Sequence, residues 1–229
     1  MRRHARIEHQ RTEGYGLVDN LGSRMRDLRL STGMSLRELA RQANVSASFI
    51  SQIENDKSQP SVATLYVLAQ LLNVSVDEFF GTDNGISIAD AQPGGTSFVA
   101  SGADPTTAWR PSEYANRISV EHPSHRPHLD MAAGVVWERL AATPEKAVNF
   151  MKVTYAPGAS SSDAGSVQQH EGYEYGYVLA GEVEITIGGE IFVLREGESL
   201  GFDSRIAHTL RNVGTEYFEG IWFVHGHSH

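Results

Sequence analysis

From Leu21 onward, apolar positions recur three and four residues apart, the period of a helix with one buried face. Leu21, Met25 and Leu28 set this stripe in "LGSRMRDLRLSTG", and Gly33 is placed to close the helix. "SLRELARQAN" predicts a second helix with Ser35 as N-cap and Glu38 three residues on, the spacing of a capping box. "SASFISQIEND" predicts a third, capped by Ser46, with Phe49, Ile50 and Ile53 inward. "SVATLYVLAQLLN" and "SVDEFFG" predict two more. Five short helices joined by short loops describe a compact domain over residues 21–82. Residues 1–20 are polar and aperiodic and read as a mobile N-terminal arm.

After Gly81 the helical period is lost. Residues 83–117 are rich in Gly, Pro, Ser, Thr and Asp and read as a linker with room for one strand. From residue 118 to 229 the period becomes two. In "VEITIGGEIFVL", Val183, Ile185 and Ile187 alternate with Glu184 and Thr186, and Gly188-Gly189 makes a two-residue turn into a second strand. Further strands are expected near 134–140, 147–156, 173–179, 198–203, 207–212 and 217–224. Many short strands with glycine turns predict a sandwich or small barrel. The fold class is therefore multidomain, α followed by β.

Charge sharpens the division. The formal net charge is −9 over 229 residues, yet residues 1–82 hold ten Lys+Arg against nine Asp+Glu, and the remainder nine against nineteen. An acidic chain makes a poor general nucleic-acid binder, whereas a near-neutral first domain can still present a local basic face. With no cysteine, disulfides and thiolate metal sites are excluded. No apolar run approaches the ~18 residues of a membrane span. The basic N-terminus also lacks the apolar stretch of a signal peptide, so a cytoplasmic protein is expected.

The second and third helices carry the first candidate chemistry. Asn44 falls between them, where the chain must adopt a left-handed conformation, and Ala40 is small enough for the two to approach. If Ile50 and Ile53 face inward, then Ala47, Ser48, Ser51 and Gln52 face outward. Short polar residues on such a helix can enter a major groove, where Gln pairs bidentately with adenine. "MSLRELA", "VSASFISQIEND" and "PSVATLYVLAQLLNVSVDEFF" together resemble the repressor-like (XRE) helix-turn-helix family across residues 21–80. The resemblance implies that Ala47, Ser48 and Gln52 read bases, with Ser46 and Ser51 on the same face. It also implies that Ser35, Asn55 and Lys57 contact phosphates and that Arg29 and Glu54 form an internal ion pair. Asp56 stands where the family usually has Gly. One such domain reads a half-site, so a homodimer on double-stranded DNA is expected.

The second candidate lies in "GSVQQHEGYEYGYVLAG" and "GESLGFDSRIAHTLRN". Gln168 and His170, two apart, share a face of a strand, and Gly172 allows a bend that returns Glu174 towards His170. His208 would have to converge from another strand. Two imidazoles and a carboxylate make a facial triad with open positions, suited to iron(II) or similar divalent ions; the same residues could instead be polar groups lining an empty pocket. The two segments resemble the paired motifs of the cupins, which implies a jelly-roll barrel over roughly 147–224. His170, Glu174 and His208 would then be ligands for iron(II), zinc, nickel or manganese. Gln168 replaces the usual first histidine, and Asp203 the usual proline. Gln168 and Asn212 would sit beside the ligands or touch a small-molecule effector. Tyr175 and Tyr177 alternate with Glu174 and should face away from the pocket, as packing or dimer-contact residues. "EHPSHRPH" reads as a polar loop and "HGHSH" as a tail.

Two functions come ahead of a third, a plain ligand-binding cupin whose helical domain only dimerises. One is a transcription regulator in which a DNA reader is joined to a cupin sensor. The other is a mononuclear non-haem iron oxygenase, because the hydroxypropylphosphonate epoxidase family pairs similar domains around a His, Glu, His set. Arg205, Arg211 and Lys152 lie near the site in sequence, but nothing marks the phosphonate clamp such an enzyme needs. The outward set on the third helix favours the regulator.

Overall fold

The computed structural model describes residues 21–80, 119, 121–123, 126–141, 148–162 and 167–226. The expected arm, the expected linker and the last residues of the tail lie outside these.

Among the described residues, four α-helices form the first domain: α1 (Leu21–Ser31), α2 (Leu36–Gln42), α3 (Ala47–Glu54) and α4 (Val62–Leu72). The fifth expected helix is a 3-10 turn, Val76–Phe80. Its five residues bury Val76, Phe79 and Phe80, and Glu78 N bonds the carbonyl three residues back, at Ser75. So short a segment satisfies its backbone by the tighter pattern. Arg24 closes its end by donating to the Phe79 carbonyl at 2.7 Å. Ser35, Ser46 and Ser61 cap α2, α3 and α4 by accepting from the amide three residues on. Only half the expected capping box forms, because the Glu38 carboxylate turns forward to Arg41 and Gln42. Asn44 (φ 54°) and Asp56 (φ 54°) take the left-handed conformations their short polar side chains tolerate, and Asp56 Oδ1 accepts from Gly22 N at 2.9 Å.

Among the described residues nine strands follow, every pair antiparallel: β1 (His128–Met131), β2 (Val135–Ala141), β3 (Val148–Tyr155), β4 (Tyr173–Ala180), β5 (Glu182–Ile187), β6 (Glu190–Arg195), β7 (Ser199–Asp203), β8 (His208–Arg211) and β9 (Phe218–His225). One sheet has the order β1-β2-β3-β9-β4-β7 and the other β6-β5-β8. Eight strands match the sequence pattern. The exception is β1, whose first residue lies in the expected polar loop; Leu129 and Met131 face the core. Gly188 (φ 59°) and Gly189 (φ 90°) both take the positive φ of the tight β5–β6 turn.

The two domains are packed together. Ala63 N, one of the amides that α4 cannot satisfy itself, donates to the Ser161 carbonyl at 3.1 Å, and Ala132 N donates to the Pro60 carbonyl at 3.0 Å. Arg139 on β2 lies 3.5 Å from Asp77, with its guanidinium over the Phe80 ring. Buried apolar side chains of helices and strands form one continuous cluster.

Candidate functional site

Helix α3 buries Ile50, Ile53 and Glu54 and leaves Ser48 and Gln52 exposed, with Asn55 and Lys57 exposed beyond its end. Phe49, Ala47 and Ser51 are half-buried, and Ala47 packs partly against the core. Ser46 Oγ, besides capping α3, lies 2.9 Å from Ser48 Oγ. Asn55 donates to the Ser51 carbonyl at 2.6 Å, while Ser35 is occupied as the exposed cap of α2. Behind this face, Arg29 grips Glu54 bidentately, Nε to Oε1 at 2.5 Å and Nη2 to Oε2 at 2.9 Å. Arg29 also donates to the Met34 carbonyl at 2.9 Å. Both partners are buried, and Glu54 holds the guanidinium pKa up against the effect of burial. The pair fixes α3 to α1, so the outward face is presented on a rigid element.

In the β domain, three side chains from separate segments converge. His170 Nε2 lies 2.7 Å from Glu174 Oε1, and His208 Nε2 lies 3.0 Å from the same oxygen. Gly172 makes the return possible: its φ is +112°, and a Cβ there would collide with the His225 carbonyl. His208 reaches the site because β8 pairs with β5 and bridges Gln168. Each ring is oriented through Nδ1, which faces a backbone carbonyl, Glu171 for His170 (3.2 Å) and Ile206 for His208 (2.8 Å). In the neutral ring that contact puts the proton on Nδ1 and leaves Nε2 as a lone pair. Burial alone would raise the Glu174 pKa, but the hydrogen bonds and charges of the two histidines outweigh it and hold it at about 2. His208 is raised, because Glu174 more than offsets burial.

A helix-turn-helix family model matches residues 25–79, and a cupin domain model matches residues 151–224. The chain is a helix-turn-helix protein with a C-terminal cupin domain. It is 27% identical over 209 residues to the HTH-type transcriptional regulator SutR of Escherichia coli, covering 91% of this chain and 92% of that one. It is 26% identical over 194 residues to the HTH-type transcriptional regulator PuuR of the same organism, covering 84% and 87%. The crystal structure of an HTH_3 family transcriptional regulator from Vibrio cholerae shares the fold, with TM-score 0.55 at 21% identity over 90% of this chain and 95% of that one.

The cupin cluster is compatible with a metal site. Among the described residues, His170, Glu174 and His208 form a group whose ligand atoms all lie within 4.8 Å of one another. Gln168 Oε1 is buried there without a hydrogen-bond partner, and buried His208 Nε2 faces only the Glu174 carboxylate, 3.0 Å away. An imidazole lone pair aimed at a carboxylate needs a positive charge between them, supplied by a proton or a cation. The donor set of two nitrogens and carboxylate oxygen suits a divalent transition ion. Gln168 and Glu174 line the same cavity. Asn212 is committed elsewhere: Nδ2 donates to the Tyr155 and Glu216 carbonyls, and Oδ1 accepts from Gly214 N. It holds the loop after β8 and does not line the cavity. Tyr175 and Tyr177 point outward, as their alternation with Glu174 requires.

Two neighbours of the cluster escaped the sequence reading. Trp222 on β9 donates its indole N–H to Glu174 Oε2 at 2.7 Å. The signal was available, since a tryptophan at an inward strand position needs an acceptor. Tyr66 on α4 stacks on His170, ring centroids 4.2 Å apart and planes 7° from parallel. It sits in an apolar helix that reads as core, so nothing local marks it.

Proposed function

We propose that the protein is a sequence-specific, DNA-binding transcriptional regulator whose cupin domain, residues 118–229, senses a small molecule through a bound divalent metal. The observation that carries the DNA-reading half is α3, with Ser48 and Gln52 outward at its groove-facing end and Asn55 and Lys57 beyond it. Ser35, Ser46, Ala47 and Ser51 complete the contact surface in this reading. A homodimer would align two such helices with the halves of a palindrome, one helical turn apart. The outward tyrosines of β4 offer an apolar face for the second copy. Such a regulator works in the cytoplasm; among the described residues no helix is long and apolar enough to cross a membrane.

In the cupin, His170, Glu174 and His208 would hold iron(II), zinc, nickel or manganese, with Gln168 beside it. The ion would offer open coordination positions to a donor atom of the effector. Effector binding would shift the balance between DNA-competent and DNA-incompetent arrangements. The same triad is the one observation favouring an iron-dependent oxygenase.

Selection of bound sites from random duplex DNA tests the reading. A palindromic consensus is expected. Gln52→Ala should weaken that site by about 1–3 kcal/mol and relax preference at one base pair. No consensus, together with iron-dependent oxygen consumption, would put the oxygenase first.

A further inference from the structure

The cupin cavity has a wall that does not belong to the cupin. Tyr66 comes from α4 of the helix-turn-helix domain and lines the cavity together with Trp137, Tyr155, Gln168, Glu174 and Trp222. Its ring covers one face of the His170 imidazole and meets Trp137 edge-on at 6.0 Å. The cavity holds about 270 Å³ outside atoms, its open mouth included, and the enclosed part has free space only for a water-sized species. In this arrangement an ion fits beside Glu174, but an organic molecule does not. Tyr66 is carried on a docked helix. Its helix is fixed to the barrel by the Ala63–Ser161 hydrogen bond, and the flanking segments by the Pro60–Ala132 bond and the Asp77–Arg139 ion pair.

We propose that Tyr66 is the gating wall of the ligand site, so that any molecule reaching the metal must displace α4 from the barrel. The inference rests on the sensing function proposed above and gives it a physical link: pocket occupancy by an organic ligand and docking of the DNA-reading domain exclude each other. The molecules admitted would be small nitrogen or oxygen donors with a flat or short body, able to take the place of the phenol ring against His170.

The test uses the full chain loaded with cobalt(II), whose visible absorption bands report occupancy and ligand exchange, and imidazole as the probe. Tyr66→Ala should bind imidazole about tenfold or more tightly than wild type, since no stacked ring has to be expelled. Tyr66→Phe keeps the ring and should match wild type. Asp77→Asn alters no cavity residue but loosens the docking, so it should tighten imidazole binding in the same direction and gives a readout should Tyr66→Ala fold poorly. Normal cobalt bands with equal imidazole affinity in wild type, Tyr66→Ala and Asp77→Asn would overturn this inference and leave the metal site standing. Absence of cobalt bands in all of them would overturn the metal reading, and this inference with it.

Discussion

Glu54 shows how one side chain sets the position of a reading surface. It is buried, and both of its oxygens are taken by Arg29. Glu54→Gln removes the charge but not the shape, leaving the guanidinium buried without a counter-charge. The cost should be about 3–5 kcal/mol, visible as a lower melting temperature of the helical domain. The pair was legible because both residues match family positions. The second residue-scale prediction concerns protons. The folded-state pKa of His208 is raised above its ordinary value, so the stability it contributes is present below the ordinary histidine range and is lost as pH rises through the raised value. Metal-stripped protein should therefore melt lower at roughly pH 8 than at roughly pH 6, as far as this group is concerned. Metal-loaded protein should show the opposite slope, because the ion competes with the proton for Nε2. Melts at the two pH values, with and without a chelator, separate the cases. Equal slopes would mean that no ion and proton share the site.

At the scale of elements, β4 and β9 build the site as a pair. Glu174 and Val224 are register partners, and Gly176 faces Trp222 across the ladder. A Cβ at Gly176 would collide with the Trp222 ring, so the glycine leaves room for the indole that holds Glu174. Trp222→Phe keeps most of the packing and removes the N–H. Metal affinity should drop about 10- to 100-fold, the usual effect of losing a partner behind a ligand. A metal titration of the folded variant checks it, and an unchanged affinity would show that the Trp222 bond does not shape the site. Strand β5 was legible because its alternation is strict and a Gly-Gly turn follows it, and the caps of α2 and α3 because Ser35 and Ser46 precede apolar stripes. The element misread was Val76–Phe80, where apolar spacing suits a helix and only its length makes it a 3-10 turn. Strand β1 was hidden by the prolines and histidines before it.

At the scale of the whole molecule, the sequence divides cleanly at Gly81, but the packing does not. Composition, charge and period all change there, and each domain is recognisable from its own motifs. What joins them is the meeting of distant surfaces: Tyr66 with His170, Asp77 with Arg139, Ala63 with Ser161. Such contacts leave no periodic trace, because each residue is ordinary in its own segment. Tyr66 looks like one more apolar position on α4, and Arg139 like a charge near the end of a strand. The site itself was half legible for the same reason: its ligands sit within motifs, while its roof comes from the other domain. The consequence reaches into how such proteins can be recombined. A DNA-reading module taken from a relative and spliced onto this barrel would bring its own recognition helix intact. Without an aromatic ring at the equivalent of position 66 and an acid at 77, it would still recognise its operator but would be deaf to whatever the barrel senses. The exchangeable unit is therefore the reading domain together with its share of the pocket wall.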